Sequence, residues 1–236
     1  MSREYKPLLA ITMGDAAGSG PEIITKALAD REVRGMCRPV VVGDAATMQA
    51  ALEITGVPGK VKAIEKLAEA SFRDGIIEVI DLHNIQLDKL IRGRVDPMAG
   101  KAAYEYIKLA TEMTLAGECD AIVTSAINKE ALNKAGYHYD GHTQLLAELC
   151  GVSRVAMMLV SGKLRVSHVS THVSLLKAIE RVRPERILTV LKLTDEAVRQ
   201  MGVAEPRLVV AGLNPHSGEG GLFGDEEIKY IAPAIE

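Results

Sequence analysis

The strongest constraint on this chain is an alternation of short apolar runs with helical patterns. Leu8 to Met13 reads as a buried strand, and Gly14-Asp15-Ala16-Ala17-Gly18-Ser19-Gly20 as the loop after it. Pro21-Glu22 then opens a helix, with proline at a favoured first position and an acid in the first turn. Ile23, Ile24, Ala27 and Leu28 share one side of it. The pattern recurs with a strand over Pro39 to Gly43 and a helix over Ala45 to Ile54. Weaker strands follow at Val61 to Ile64 and Ile76 to Leu82, with helix-prone, solvated Glu65 to Arg73 between them. Gly93 to Gly100 reads as a loop, Lys101 to Ala116 as a helix, and Asp120 to Ile127 as another buried strand. Helical runs continue at Glu130 to Lys134 and Gln144 to Cys150. This rhythm predicts an α/β fold. Val155 to Val160 and Leu164 to Val169, around Ser161-Gly162-Lys163, form a hairpin that breaks it, so the sheet is mixed or carries a projecting arm. Ser174 to Ile179 and Pro184 to Met201 are helical, Leu208 to Val210 reads as a buried strand, and a helix starts at Asp225 with Ile228, Ile231 and Ile235 on its apolar side.

At 236 residues the chain is long enough to bury a real core, and none of its apolar runs reaches membrane-spanning length. The start, MSREYKPLLAITMG, carries acid and lacks a small-residue cleavage site, which argues against a secretory leader. Cys37, Cys119 and Cys150 are odd in number and far apart, the usage expected of reduced thiols in the cytoplasm. A net charge of −3 with mixed signs argues against nucleic-acid binding, and two Phe with no Trp leave few stacking platforms for single strands.

Reactive side chains gather where strands end, which is where open α/β sheets bind ligands. The densest group follows Leu208 to Val210: Asn214, His216 and Glu219 stand among Gly218, Gly220 and Gly221. The Gly14 to Gly20 loop resembles a phosphate cradle, yet GxxxxGK[ST] is absent and GxGxxG fails at Pro21-Glu22-Ile23. A tight strand-to-helix turn explains its glycines nearly as well. Lys129 is either a phosphate contact or a solvent lysine. At Gly141-His142-Thr143, ligand contact and simple helix capping are equal readings, since amides at a helix start favour anions. His168 and His172 are four apart in a β-leaning stretch, where four residues span about 13 Å. Metal–nitrogen bonds are only about 2 Å, so at most one of the two is a ligand. His172, at the strand end before Ser174, is the better candidate; His168, His83 and His138 read as structural.

Together, Ile11 to Asp15, Gly20-Pro21-Glu22, Ile127 to Glu130, Gly141-His142-Thr143, Ser170-Thr171-His172 and Gly212 to Gly221 resemble the PdxA family of NAD-dependent 4-hydroxythreonine-4-phosphate dehydrogenases. The ordered motifs span nearly the whole chain. The resemblance implies an isocitrate/isopropylmalate-dehydrogenase-like α/β/α sandwich, two interleaved lobes around a cleft, as a single catalytic domain over residues 1–236 acting as a homodimer. It carries over His172 and His216 as ligands of a divalent metal (Zn, Mg, Mn or Co), and His142 and Thr143 as substrate contacts. The family's third metal histidine and several basic substrate residues lie beyond Glu236, so the chain is expected to be a C-terminally incomplete piece that binds metal weakly. Ala16, Ser19 and Gln144 depart from the usual proline, aliphatic residue and glutamate, which leaves details of the loop and pocket open. The stretch Ile127 to Gly136 looks more like the branch acting on D-threonate or D-erythronate 4-phosphate.

The implied reaction is oxidation, with decarboxylation, of a phosphorylated four-carbon hydroxy acid, using NAD or NADP and the metal. No residue of this sequence is assigned as general base or as nucleotide contact. Two rival readings are an acyl-phosphate transferase of phosphotransacetylase type, which needs neither nicotinamide nor histidine-bound metal, and a truncated binding or dimerisation module without chemistry. NADH formation with each candidate phosphate separates all three.

Overall fold

A computed structural model describes residues 5–236, so the first four residues of the stretch read for a leader lie outside it. The chain divides into two compact units, one ending at Gly151 and the other spanning Val152–Glu236.

The first unit is built on five parallel strands: β1 (Leu8–Thr12), β2 (Arg38–Gly43), β3 (Lys60–Ile64), β4 (Ile76–Asp81) and β5 (Ala121–Thr124). Their order is β3-β4-β2-β1-β5. Leu9 of β1 lies opposite Pro39 on one side and Ala121 on the other. A parallel sheet needs long crossovers, and here helices supply them: α1 (Gly20–Ala29), α2 (Arg31–Met36), α3 (Ala45–Thr55) and α4 (Pro97–Leu115). The central strands are covered accordingly, with Ala10, Val40, Val41, Val42 and Val79 fully buried beside Met13, Met48 and Tyr106. This bears out the expected helix-flanked parallel sheet.

Three local expectations need correction. β5 is not buried, because it is an edge strand with one neighbour, and Val123 is 43% exposed. Glu65 to Arg73 holds only one 3-10 turn, Leu67–Glu69. The buried Glu78 carboxylate of β4 accepts from Ser71 N at 2.5 Å, Ser71 Oγ at 2.8 Å and Phe72 N at 2.8 Å. Those donors are therefore spent on a loop rather than on helix bonds. Finally, α4 starts four residues earlier than its apolar spacing predicts, because Asp96 caps Met98 N and Pro97 takes the first position.

Two shorter helices, α5 (Lys129–Lys134) and α6 (His142–Leu149), complete this unit. Gly100 lets α4 and α5 approach closely: a Cβ there would stand 2.2 Å from Ala131 O.

In the second unit, β6 (Met158–Ser161) and β7 (Leu164–Ser167) pair antiparallel as a separate two-stranded sheet, the arm alternative of the sequence reading. Helices α7 (Leu175–Glu180) and α8 (Pro184–Gln200) follow. Arg186 ties α8 back to the chain, donating to Val169 O at 2.8 Å and Val155 O at 2.9 Å. The core is small: Val182, Ile187 and Ile231, packed by Val210 and Tyr230 among others. Leu208 to Val210 is not a buried strand. No neighbouring strand pairs with it among the described residues, and Val209 is 94% exposed. Residues Glu227–Ile231 form a π turn leading into α9 (Ala232–Ile235); of the three isoleucines expected inward, only Ile231 is buried. No helix among the described residues is long and apolar enough to cross a membrane.

Candidate functional site

In the first unit the chain reverses its direction of sheet growth between β1 and β5, the switch point at which α/β sheets open a crevice. Two loops meet there. Asp15 N donates to Ala126 O at 2.9 Å. Gly14, at φ +75, and Gly20 are both required by the closeness: Cβ atoms would stand 2.4 Å from Ala126 O and 2.5 Å from Met13 O respectively. Asp15 is buried, and burial pushes its carboxyl above the usual range, against a hydrogen bond from Ala17 N that lowers it. A buried carboxyl suits an anion cradle poorly, so the tight-turn reading of the Gly14 to Gly20 loop is the better one.

Downstream of β5, Asn128 caps α5 by accepting from Ala131 N at 3.0 Å, which puts Lys129 at the exposed first turn. The Lys129 side chain reaches toward Gly141, whose missing Cβ would lie 3.9 Å from Lys129 Cε. Gly141 has φ 155 and ψ −170, a region essentially reserved for glycine, and delivers His142 and Thr143 to the first turn of α6. Nε2 of His142 is buried without a hydrogen-bond partner, and burial lowers its pKa. The ring is therefore a neutral imidazole at pH 7, with an unsatisfied nitrogen in the residue that follows Gly141, at a helix start. That arrangement can bind an oxyanion.

In the second unit, His172 and His216 are both exposed, and both adopt left-handed backbone, at φ 55 and φ 51. Such conformations cost about 1 kcal/mol or more for non-glycine residues and cluster at functional sites. His216 opens a run of five left-handed residues through Gly220, within the turn Pro215–Gly221. Glu227 fastens this turn: its carboxylate accepts from Leu213 N at 2.8 Å, Asn214 N at 2.7 Å and Asn214 Nδ2 at 2.9 Å. These bonds hold its pKa down at about 2. Sequence reading singled out Asn214 and His216 but missed Glu227, which looked like an ordinary acid in a helix start. Among the described residues no side-chain hydrogen bond occupies either imidazole, and free imidazole nitrogens are apt donors for Zn, Co or Mn.

The other histidines differ in their surroundings. His138 Nδ1 lies 2.7 Å from Asn133 Oδ1. His168 Nδ1 is buried without a partner, while its backbone N–H bonds Met157 O at 3.0 Å. His83, read as structural, lies beside Asp44 and Asp81 at the ends of β2 and β4, with one ligand atom from each within 4.8 Å of the others. This trio is able to take a cation. However, Asp44 Oδ1 accepts from Thr47 N and Oγ1, and Asp81 Oδ1 from Ala45 N and His83 N, so the carboxylates are already used as caps. A cavity of about 190 Å³, lined in part by Arg34, Gly59 and Gly75, lies at the opposite ends of β3 and β4 and touches none of these groups.

Comparison with known proteins identifies the family. Residues 35–236 match the family model described as "Pyridoxal phosphate biosynthetic protein PdxA". The D-threonate 4-phosphate dehydrogenase of Cupriavidus necator is 45% identical over 234 residues, covering 99% of this chain and 70% of that protein. The enzyme of the same name from Pectobacterium atrosepticum is 46% identical over 230 residues, covering 97% and 70%. A crystal structure of 4-hydroxythreonine-4-phosphate dehydrogenase from Klebsiella pneumoniae superposes with a TM-score of 0.91 at 44% identity, covering 99% of this chain and 71% of that one. With a family model across most of its length and close relatives across nearly all of it, the chain belongs to the PdxA family.

Proposed function

We propose that this chain is the catalytic domain of an NAD-dependent, divalent-metal-dependent dehydrogenase that oxidises, with decarboxylation, a 4-phosphorylated four-carbon hydroxy acid. D-threonate 4-phosphate is the first candidate substrate. The observation that carries this reading is the 45–46% identity, over nearly the whole chain, to relatives named D-threonate 4-phosphate dehydrogenase.

The residues support it in two groups. Lys129, His142 and Thr143 gather at the start of α6, where a cation, a neutral imidazole and a hydroxyl suit the phosphate or carboxylate of such a substrate. The burial that keeps His142 uncharged also makes it a directional partner rather than a diffuse charge. His172 and His216 are the proposed metal ligands, and Glu227 orients the second through the Asn214 backbone. When bound, a divalent cation supplies Lewis acidity to the hydroxyl being oxidised, and the nicotinamide supplies the hydride acceptor. Two imidazoles are fewer than the three protein ligands usual at a catalytic centre, so weak metal binding by this chain is part of the proposal. So are the single two-lobed domain, the homodimer, the cytoplasmic setting and NAD rather than NADP.

Absorbance at the NADH band, with D-threonate 4-phosphate, D-erythronate 4-phosphate and 4-hydroxythreonine 4-phosphate in turn, tests the reaction. No signal with any of them, in the presence of Zn, Mg, Mn or Co, would overturn it. Co(II) absorption titrated into His172→Ala and His216→Ala tests the ligands without relying on turnover. Spectra like that of the unaltered chain would remove both from the metal.

A further inference from the structure

Three of the chain's six tyrosines meet at one place in the first unit. Tyr104, on α4, stacks on Tyr137 with ring centroids 3.8 Å apart and planes 12° from parallel. Tyr139 lies 6.4 Å from Tyr104, again within 12° of parallel. Tyr137 and Tyr139 belong to the short segment between α5 and α6 that leads into Gly141, His142 and Thr143. That segment needs restraint. Gly136 at φ +93 opens it and Gly141 closes it in a conformation only glycine adopts readily, so both ends are hinges.

The remaining bonds tie the same segment to the flanking helices. Tyr137 N donates to Leu132 O of α5 at 3.0 Å. Tyr139 OH donates to Glu148 Oε1 of α6 at 2.8 Å, and Asp140 N donates to Gln144 Oε1 at 3.0 Å. The tyrosine stack ties the segment itself to α4, the long helix packed on the sheet, against which α5 and α6 also pack. We propose that Tyr104, Tyr137 and Tyr139 are positioning residues that lock the hinge before α6, so that the buried Nε2 of His142 meets its ligand pre-aligned. Pre-alignment of this kind raises affinity by removing the ordering cost of a mobile segment. The proposal rests on the reading of His142 as a ligand contact.

The test is binding of D-threonate 4-phosphate by calorimetry, together with 15N resonances of the His142 ring, in Tyr104→Ala, Tyr104→Phe, Tyr139→Leu and His142→Ala. Tyr104→Ala is expected to weaken binding about tenfold, the loss of one aromatic stacking contact. It should also shift the His142 ring resonances toward those of an exposed imidazole, while circular dichroism stays unchanged. Tyr104→Phe keeps the stack and should restore both. If Tyr104→Ala fails to fold, Tyr139→Leu is expected to show the same two effects. Full affinity in whichever of these folds, alongside weakened binding in His142→Ala, would overturn the clamp and leave the site standing. Full affinity in His142→Ala would instead refute the site reading itself.

Discussion

Gly100→Ala sets two effects of known size against each other. In a helix interior the exchange normally stabilises by about 1 kcal/mol, since alanine loses less backbone freedom on folding. Here the new Cβ would stand 2.2 Å from Ala131 O, 2.3 Å from Ala131 C and 2.7 Å from Leu132 N. Ordinary contact begins at 3.4 Å, so α4 and α5 must part by about 3.4 − 2.2 = 1.2 Å. The obstacle is backbone rather than a flexible side chain, and Ala131 and Leu132 are fully buried. Overpacking of this kind costs about 1–3 kcal/mol, and a shift above 1 Å against a rigid carbonyl belongs at or beyond the upper end. The net expectation is destabilisation by about 2 kcal/mol or more. Gly35→Ala in α2 is the control: nothing lies within 4 Å of its Cβ, so the propensity gain of about 0.5–1 kcal/mol should appear undiminished. Urea denaturation followed by far-ultraviolet circular dichroism reads both. Equal stabilisation by the two substitutions would refute the close-crossing argument. Because α5 leads into the His142 segment, Gly100→Ala should also weaken ligand binding.

Two pH dependences follow from the site. The folded His142 imidazole binds its proton less readily than in the unfolded chain, so the stability it contributes is whole above pH 6.5 and declines as pH falls through its lowered folded value. A 15N-monitored titration should give a midpoint below 6.5; one at or above it would contradict the buried ring. Glu227 behaves in the carboxylate sense. Its folded pKa of about 2 lies below the ordinary 4.5, so its hold on Leu213 and Asn214 is full above pH 4.5 and lost as pH falls toward 2. Glu227→Ala should speed hydrogen exchange at the Leu213 and Asn214 amides at neutral pH, and unchanged protection there would refute its anchoring role.

Most elements of the first unit were legible because each apolar run and helical stripe carries its own period. Pro39 to Gly43 announced a strand, and Pro21-Glu22 a helix start, through local chemistry alone. What failed depended on neighbours. Asp120 to Ile127 looks as apolar as β2, yet a strand with one partner keeps Val123 in the open. Leu208 to Val210 has the same composition and no partner strand among the described residues, so composition could not make it a strand. Asp96-Pro97 was a legible cap-and-proline start that a purely hydrophobic reading of α4 overlooked. At the candidate site, His142, Thr143, His172 and His216 were singled out through motif order. The tyrosine stack and Glu227 were not, since three-dimensional proximity alone connects Tyr104 to Tyr137 or Glu227 to Asn214.

The order of strands in the parallel sheet has a consequence during synthesis. Leu9 of β1 pairs with Pro39 of β2 early, but its other neighbour, Ala121 of β5, is made 121 − 9 = 112 residues later. At about 5–20 residues per second, ribosomes leave that flank open for roughly 6–22 s. Throughout that interval the nascent chain exposes an apolar strand with a free row of amides and carbonyls, the kind of edge that invites pairing with another chain. Crowding of polysomes therefore adds a transient edge at β1 to the one that β5 keeps in the finished sheet.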